Sequence, residues 1–263
     1  MDNTYWQKQK PTKPLFPDLE WNKPERRDQS GNLGIIGGNK LGFASVAENY
    51  NIARVTGVGQ VRVLLPDGLK KIVPPTMTDV LFGAMTPSGS LSKAALPELK
   101  ALADWADGVL LIGDAGRNSE TAVAYEKFIN EFDGQLTITR DAIDLVKNST
   151  EAIVNRPNTV LVASFSQVQQ IFKNVYYPKV ITFSMQLQQL VEALHKFTMT
   201  YPVTIMTLHQ EHIVIAHDGK IVTQPFDSPM QIWHGTTATK VASYWLWSPD
   251  KPLESAATSL VVS

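Results

Sequence analysis

The sequence predicts an α/β fold: a mostly parallel sheet with one antiparallel edge hairpin. Three observations carry this. Short apolar runs of strand length alternate with longer stretches at helical spacing, the pattern of βαβ units. In the last third, two β-rich runs meet at Asp218-Gly219, a strong hairpin signal. Glycines close the first and third apolar runs, at Gly37-Gly38 and at Gly113.

The elements follow in order. Residues 1–31 hold Pro11, Pro14, Pro17 and Pro24, a density that blocks helix and central strand alike, so an extended arm is expected. Trp6, Phe16 and Trp21 are too apolar for a free tail and should rest on this chain or on a neighbouring subunit. The folded domain is expected over 32–263. Leu33–Ile36 reads as a strand, Phe43–Val55 as a helix, and Val61–Leu65 as a strand closed by Pro66-Asp67-Gly68. Pro97–Trp105 spaces Leu99, Leu102 and Ala106 helically, with Pro97 suited to a first turn. Val109–Ile112 is a strand, and Ser119–Phe132 a helix capped by Asn118 or Ser119. Leu136–Thr139, Thr159–Ala163 and Val180–Phe183 read as strands, and Ser184–Thr198 as a helix with Leu187, Leu190, Val191 and Leu194 on one face. Val203–Leu208, His212–Ala216 and Lys220–Thr223 form the late β-region. A final helix should run from Gly235 to about Trp247, ended by Pro249.

Composition narrows the function. Lys plus Arg is 24 against 25 Asp plus Glu, which lacks the basic excess of a general nucleic-acid binder. No apolar run reaches the ~20 residues of a membrane helix. The opening Met1-Asp2-Asn3-Thr4-Tyr5-Trp6 has no apolar h-region, so a cytoplasmic protein is expected. With 0 cysteines there are no disulfides, thiolate metal sites or cysteine nucleophiles.

In open α/β sheets ligands bind beyond the carboxyl ends of the strands. Three glycine-bearing segments fit that position: Gly37-Gly38-Asn39-Lys40, Gly113-Asp114-Ala115-Gly116, and His234-Gly235-Thr236-Thr237-Ala238-Thr239 before the last helix. The Gly235 turn best suits an anion at a helix N-terminus, although Gly-Thr before a helix is often only a cap. Standard motifs are absent. There is no G-x-x-x-x-G-K-[ST] and no G-x-S-x-G, and Gly57-Val58-Gly59-Gln60-Val61-Arg62 fails G-x-G-x-x-G. His209-Gln210-Glu211-His212 is not H-E-x-x-H, and no protein metal site is expected.

Taken together, the glycine positions over about residues 30–263 resemble the ADP/ATP-dependent NAD(P)H-hydrate dehydratase family. Gly34-Ile35-Ile36-Gly37-Gly38 with Gly42-Phe43-Ala44 resembles its opening strand and Gly-Gly loop. Gly57-Val58-Gly59-Gln60-Val61 resembles its Gly-x-Gly-x-Val step. Ala106–Gly113 resembles its Ala-Asp-Ala strand, which ends in a Gly-Pro-Gly-Leu-Gly turn, and Gly235-Thr236 resembles its Gly-Thr-Gly-Asp anion hole. The resemblance implies a ribokinase-like three-layer α/β/α sandwich. It implies ADP or ATP and magnesium as cofactors, NADPH or its hydrate as ligand, and a homo-oligomer, commonly a tetramer. It also implies a further helix after the last one read here, which the chain is expected to lack.

The same alignment implies lost chemistry. Ala238 falls on the family's base, and a methyl group accepts no proton. Thr237 stands where the anion hole has glycine. Ser164-Phe165-Ser166-Gln167 replaces His-Pro-Gly-Glu, Leu208-His209-Gln210 replaces Leu-Lys-Gly, and Thr139-Arg140-Asp141-Ala142 keeps only the second Asp of Asp-Ala-Asp-Ala. The expected anion site is therefore Gly235, Thr236, Thr237 and His209. The expected cleft holds Gly38, Asn39, Lys40, Ala44 and Gly113, together with Gly116, Arg117, Asp141, Ser164 and Ala238. His234 and Asp227 are the groups left to serve as a relocated base; their ordinary readings are a solvated cap and a turn. The function expected first is a divergent, catalytically degraded relative that still binds a nucleotide or dinucleotide. An active dehydratase or small-molecule kinase with a relocated base, and a non-catalytic interaction protein, are the alternatives.

Overall fold

In the computed structural model, which describes residues 4–261, the apolar runs become strands of one ten-stranded sheet. Residues 1–3 of the arm and 262–263 of the domain lie outside the described residues. In chain order the elements are β1 (Trp6–Lys8), β2 (Asn32–Gly37), α1 (Ala44–Thr56), β3 (Gln60–Pro66) and β4 (Val80–Gly83). Next come α2 (Leu96–Trp105), β5 (Gly108–Gly113), α3 (Ser119–Glu131), β6 (Gln135–Thr139), α4 (Asp141–Leu145) and α5 (Thr150–Asn155). Then follow β7 (Thr159–Ala163), α6 (Phe165–Asn174), α7 (Leu187–Thr200), β8 (Thr204–His209), β9 (His212–His217) and β10 (Lys220–Pro225). The chain closes with α8 (Pro229–Trp233), α9 (Thr236–Leu246) and α10 (Pro252–Ser259).

The strand order is β1-β10-β9-β8-β7-β6-β5-β2-β3-β4. All pairings are parallel except β8–β9 and β9–β10. The antiparallel hairpin turns at Asp218-Gly219, where Asp218 and Gly219 both take positive φ. β5 and β7 are buried along their whole length, which explains their unbroken apolar runs. Alternate residues serve two cores. Ile35, Leu110 and Ile112 meet Val46, Tyr50, Val241 and Trp245 from α1 and α9. Ile36, Leu111 and Ile138 meet Leu99, Tyr125, Phe128 and Val168 from α2, α3 and α6. Helices on both faces give three layers.

Several expectations need correction. Val180–Phe183 is not a strand: β7 pairs directly with β8, so no place in the sheet is open to it. Ile181 is instead buried, its carbonyl accepting from Gln169 Nε2 of α6, while Phe183 packs at a tilt against Phe165. The helix ending at Leu246 is not the last, because α10 follows, opened by Pro252 and buried against α9. Tyr244, Trp245 and Trp247 are buried, and Trp233 is exposed. Sequence reading also missed β4, α4, α5, α6 and α8.

The arm follows its own body. β1 adds in parallel to the edge of β10, and Trp6 Nε1 donates to Thr223 Oγ1 at 2.9 Å. The buried Gln9 amide donates to Gln224 Oε1 and to the Ala257 carbonyl, each at 2.7 Å. The prolines do not exclude helical turns altogether: Pro17–Asn22 and Arg27–Gln29 are short 3-10 turns. Trp21 is exposed.

Candidate functional site

The direction in which successive parallel strands are added reverses between β2 and β5. Such a switch point opens a crevice at the carboxyl ends of the two strands. Gly37 and Gly113 face each other there, and Gly38 N donates to Gly113 O at 2.8 Å. Gly37 must be glycine, since a Cβ would lie 2.4 Å from that carbonyl.

Three loops gather on one side. Asn39 Oδ1 accepts from Leu41 N at 2.7 Å. Lys40 runs over the Gly89 turn, and its Nζ donates to Pro87 O at 3.2 Å. Gly116 approaches both Ser90 and Asn39. Arg117 is exposed, as is Ala44, the first residue of α1.

At the floor sits a polar network that sequence reading did not single out. Asp114 Oδ2 accepts from Ser45 N at 3.2 Å and from Ser45 Oγ at 2.5 Å, capping α1 with a carboxylate. Asp114 Oδ1 pairs with Arg140 Nη2 at 2.9 Å. Asp114 N donates to Asp141 Oδ1 at 3.0 Å. Gly113 leaves room for this: a Cβ would fall 2.0 Å from Asp141 Oδ1. Beneath lies the Tyr125 phenol, fully buried and without a hydrogen-bond partner among the described residues. Burial, and secondarily the Asp141 carboxylate, hold it well above its ordinary range, so it stays protonated.

The Gly235 turn closes the crevice from the α1 side. Gly235 takes φ 85° and rests against Ile112 of β5 and Asn49 of α1. Asn49 is wholly buried and staples the turn: its Nδ2 donates to His234 O and to Ser45 O, both at 2.8 Å, and its Oδ1 accepts from Thr239 Oγ1 at 2.6 Å. The first-turn amides of α9, Thr236 to Ala238, point away from the helix and have no intrahelical acceptor. Thr237 is 2% exposed, and its hydroxyl has no partner among the described residues. Ala238 is 0% exposed, an inert methyl in the packed helix.

The other predicted residues lie further out. His209 ends β8, three strands from β5; its contacts are Met185 O, at 2.8 Å from Nε2, and the stacked Phe165 ring. Ser164 caps α6 in a reciprocal box with Gln167, which also donates to Arg140 O at 2.8 Å. His234 is half exposed, with Nδ1 3.6 Å from Glu48 Oε2. Asp227 is exposed and accepts from Ser228 Oγ at 2.9 Å. Ser45, Asn49, Asp114 and Arg140 were missed. The one sequence signal was the departure of Asp114 and Arg140 from the glycine- and alanine-containing strand ends around them.

The overall fold matches solved structures. A ribokinase-like superfamily protein from Enterococcus faecalis superposes with a TM-score of 0.71 at 13% identity, covering 98% of this chain and 87% of that one. The fold is ribokinase-like. An ADP/ATP-dependent NAD(P)H-hydrate dehydratase from Bacillus subtilis, co-crystallised with ATP/Mg2+ and soaked with CoA, gives 0.63 at 13% identity, over 94% of this chain and 86% of that one. A phosphomethylpyrimidine kinase from Clostridium difficile gives 0.55 at 10% identity, over 86% and 97%. No protein-family model and no curated protein sequence matches the chain. Among the described residues, no helix is long and apolar enough to cross a membrane.

Proposed function

We propose that the protein binds a nucleotide or dinucleotide at the β2–β5 crevice, phosphates against the first turn of α9, with its catalytic machinery degraded. The carrying observation is the Thr237 hydroxyl. Burying a hydroxyl without a hydrogen bond costs roughly 1–3 kcal/mol. A phosphate oxygen at the first-turn amides, which have no intrahelical acceptor, would satisfy it.

The chemistry of the side chains supports binding over turnover. Ala238 offers no base, and Asp114 has both oxygens engaged by Ser45 and Arg140. His234 faces Glu48, and Asp227 faces solvent. A positioned base contributes about 10²–10⁴-fold to rate, so a site without one retains little activity. The residues do not form a magnesium cage either: among the described residues no group of three or more His, Asp or Glu converges. No step is therefore assigned to a metal.

Titration calorimetry with ADP, ATP and NADPH tests the binding, and incubation of hydrated NADPH with either nucleotide tests the chemistry. The expected result is binding without turnover. Turnover abolished by His234→Ala would overturn the degraded-site reading, and failure of all three ligands to bind would overturn the binding.

A further inference from the structure

We infer that Arg140 is the cation that receives the ligand's phosphates in this crevice, with Asp114 as its positioning residue. The inference rests on the nucleotide reading above and names the group that would make it selective for anions. Arg140 follows β6 at the carboxyl edge of the sheet. Its Nη2 donates to Asp114 Oδ1 at 2.9 Å and its Nη1 to Ile112 O at 3.4 Å. Ile112 is also the residue against which Gly235 rests, so guanidinium and anion turn share one neighbour.

Three features distinguish this arginine from a surface ion pair. Its side chain is 21% exposed, so its charge is partly shielded from solvent. A guanidinium has five N–H donors in a planar fork, and those beyond the two bonds to Asp114 and Ile112 have no partner among the described residues. Arg140 and Asp114 also both hold positive φ, 57° and 54°, which non-glycine residues rarely adopt. Strain of that kind gathers where a site demands a particular side-chain direction. Partly exposed ion pairs add little net stability, so stability alone does not account for two strained residues meeting here. Lys40 and Arg117, by contrast, are exposed.

The test is titration of the full chain with inorganic triphosphate, ATP and adenosine. Arg140→Ala should weaken triphosphate and ATP by about tenfold or more, the loss of a charge-assisted bond, and leave adenosine unchanged. Arg140→Lys keeps the charge but not the fork, guards against a misfolded alanine variant, and should fall between the two. Lys196→Ala, which removes an exposed charge on α7, should match the wild type. Wild-type affinity for triphosphate in both Arg140 variants overturns this inference alone. Absence of triphosphate and ATP binding in the wild type overturns the nucleotide reading and this inference with it.

Discussion

Replacing Thr237 by valine should make the ligand-free protein more stable and its nucleotide binding weaker. Valine has nearly the same shape but no hydroxyl. The Thr237 side chain lies in a helix that is 2% exposed at this residue, and its oxygen has no partner among the described residues. An unsatisfied buried hydroxyl costs roughly 1–3 kcal/mol, so its removal should return about 1–2 kcal/mol. For a chain of this size each kcal/mol moves the melting temperature by ~2–4 °C, giving a rise of roughly 2–8 °C. The same change deletes a donor to a phosphate oxygen, and ATP affinity should fall about tenfold. Thermal melting without ligand, followed by ATP titration, measures both. A lower melting temperature in the valine variant would mean that the hydroxyl is already satisfied within the protein, and the argument from its isolation would fail.

Asn49→Ala removes the staple on the Gly235 turn and strands the His234 carbonyl; a loss of about 2–4 kcal/mol is expected in urea unfolding, with weaker ATP binding alongside. Gly113→Ala would force a Cβ within 2.0 Å of Asp141 Oδ1 at φ 90°, and should cost about 2–5 kcal/mol by the same assay. Gln9→Ala should cost about 2–3 kcal/mol, because Gln224 Oε1 and Ala257 O lose a buried donor, which shows in the urea midpoint. His217 is held below its ordinary pKa of 6.5, chiefly by burial beside Thr204. The unfolded chain therefore takes up this proton first as pH falls, and the stability present above 6.5 is lost below it. Melting between pH 7.5 and 5 should show a shallower fall for His217→Gln than for the wild type.

The strands were legible because β5 and β7 are buried throughout and must be apolar throughout. Asp218-Gly219 marked the hairpin because both residues need positive φ, and Asn118 marked the start of α3 because its side chain accepts from Glu120 N and Thr121 N. What failed was short or dependent on neighbours. β4 is four residues of half-buried edge, too brief for a period to show. α6 carried a signal in Ser164 and Gln167, which pair only once the helix exists. Val180–Phe183 has strand composition, yet the sheet leaves it no partner. The glycine turns of the site were visible because glycine is chosen for backbone geometry. The Asp114–Arg140 pair was not, because it forms between the ends of two strands whose register brings Leu111 beside Ile138. Asp141, expected in the cleft, accepts there from Asp114 N, a contact no local pattern marked.

The most direct test of nucleotide binding at α9 is the electron density beside residues 234–239 in a crystal soaked with ATP. The account predicts phosphate density against the amides of Thr236, Thr237 and Ala238, with one oxygen within hydrogen-bond distance of Thr237 Oγ1. A well-ordered nucleotide bound elsewhere, with that turn empty, would contradict it.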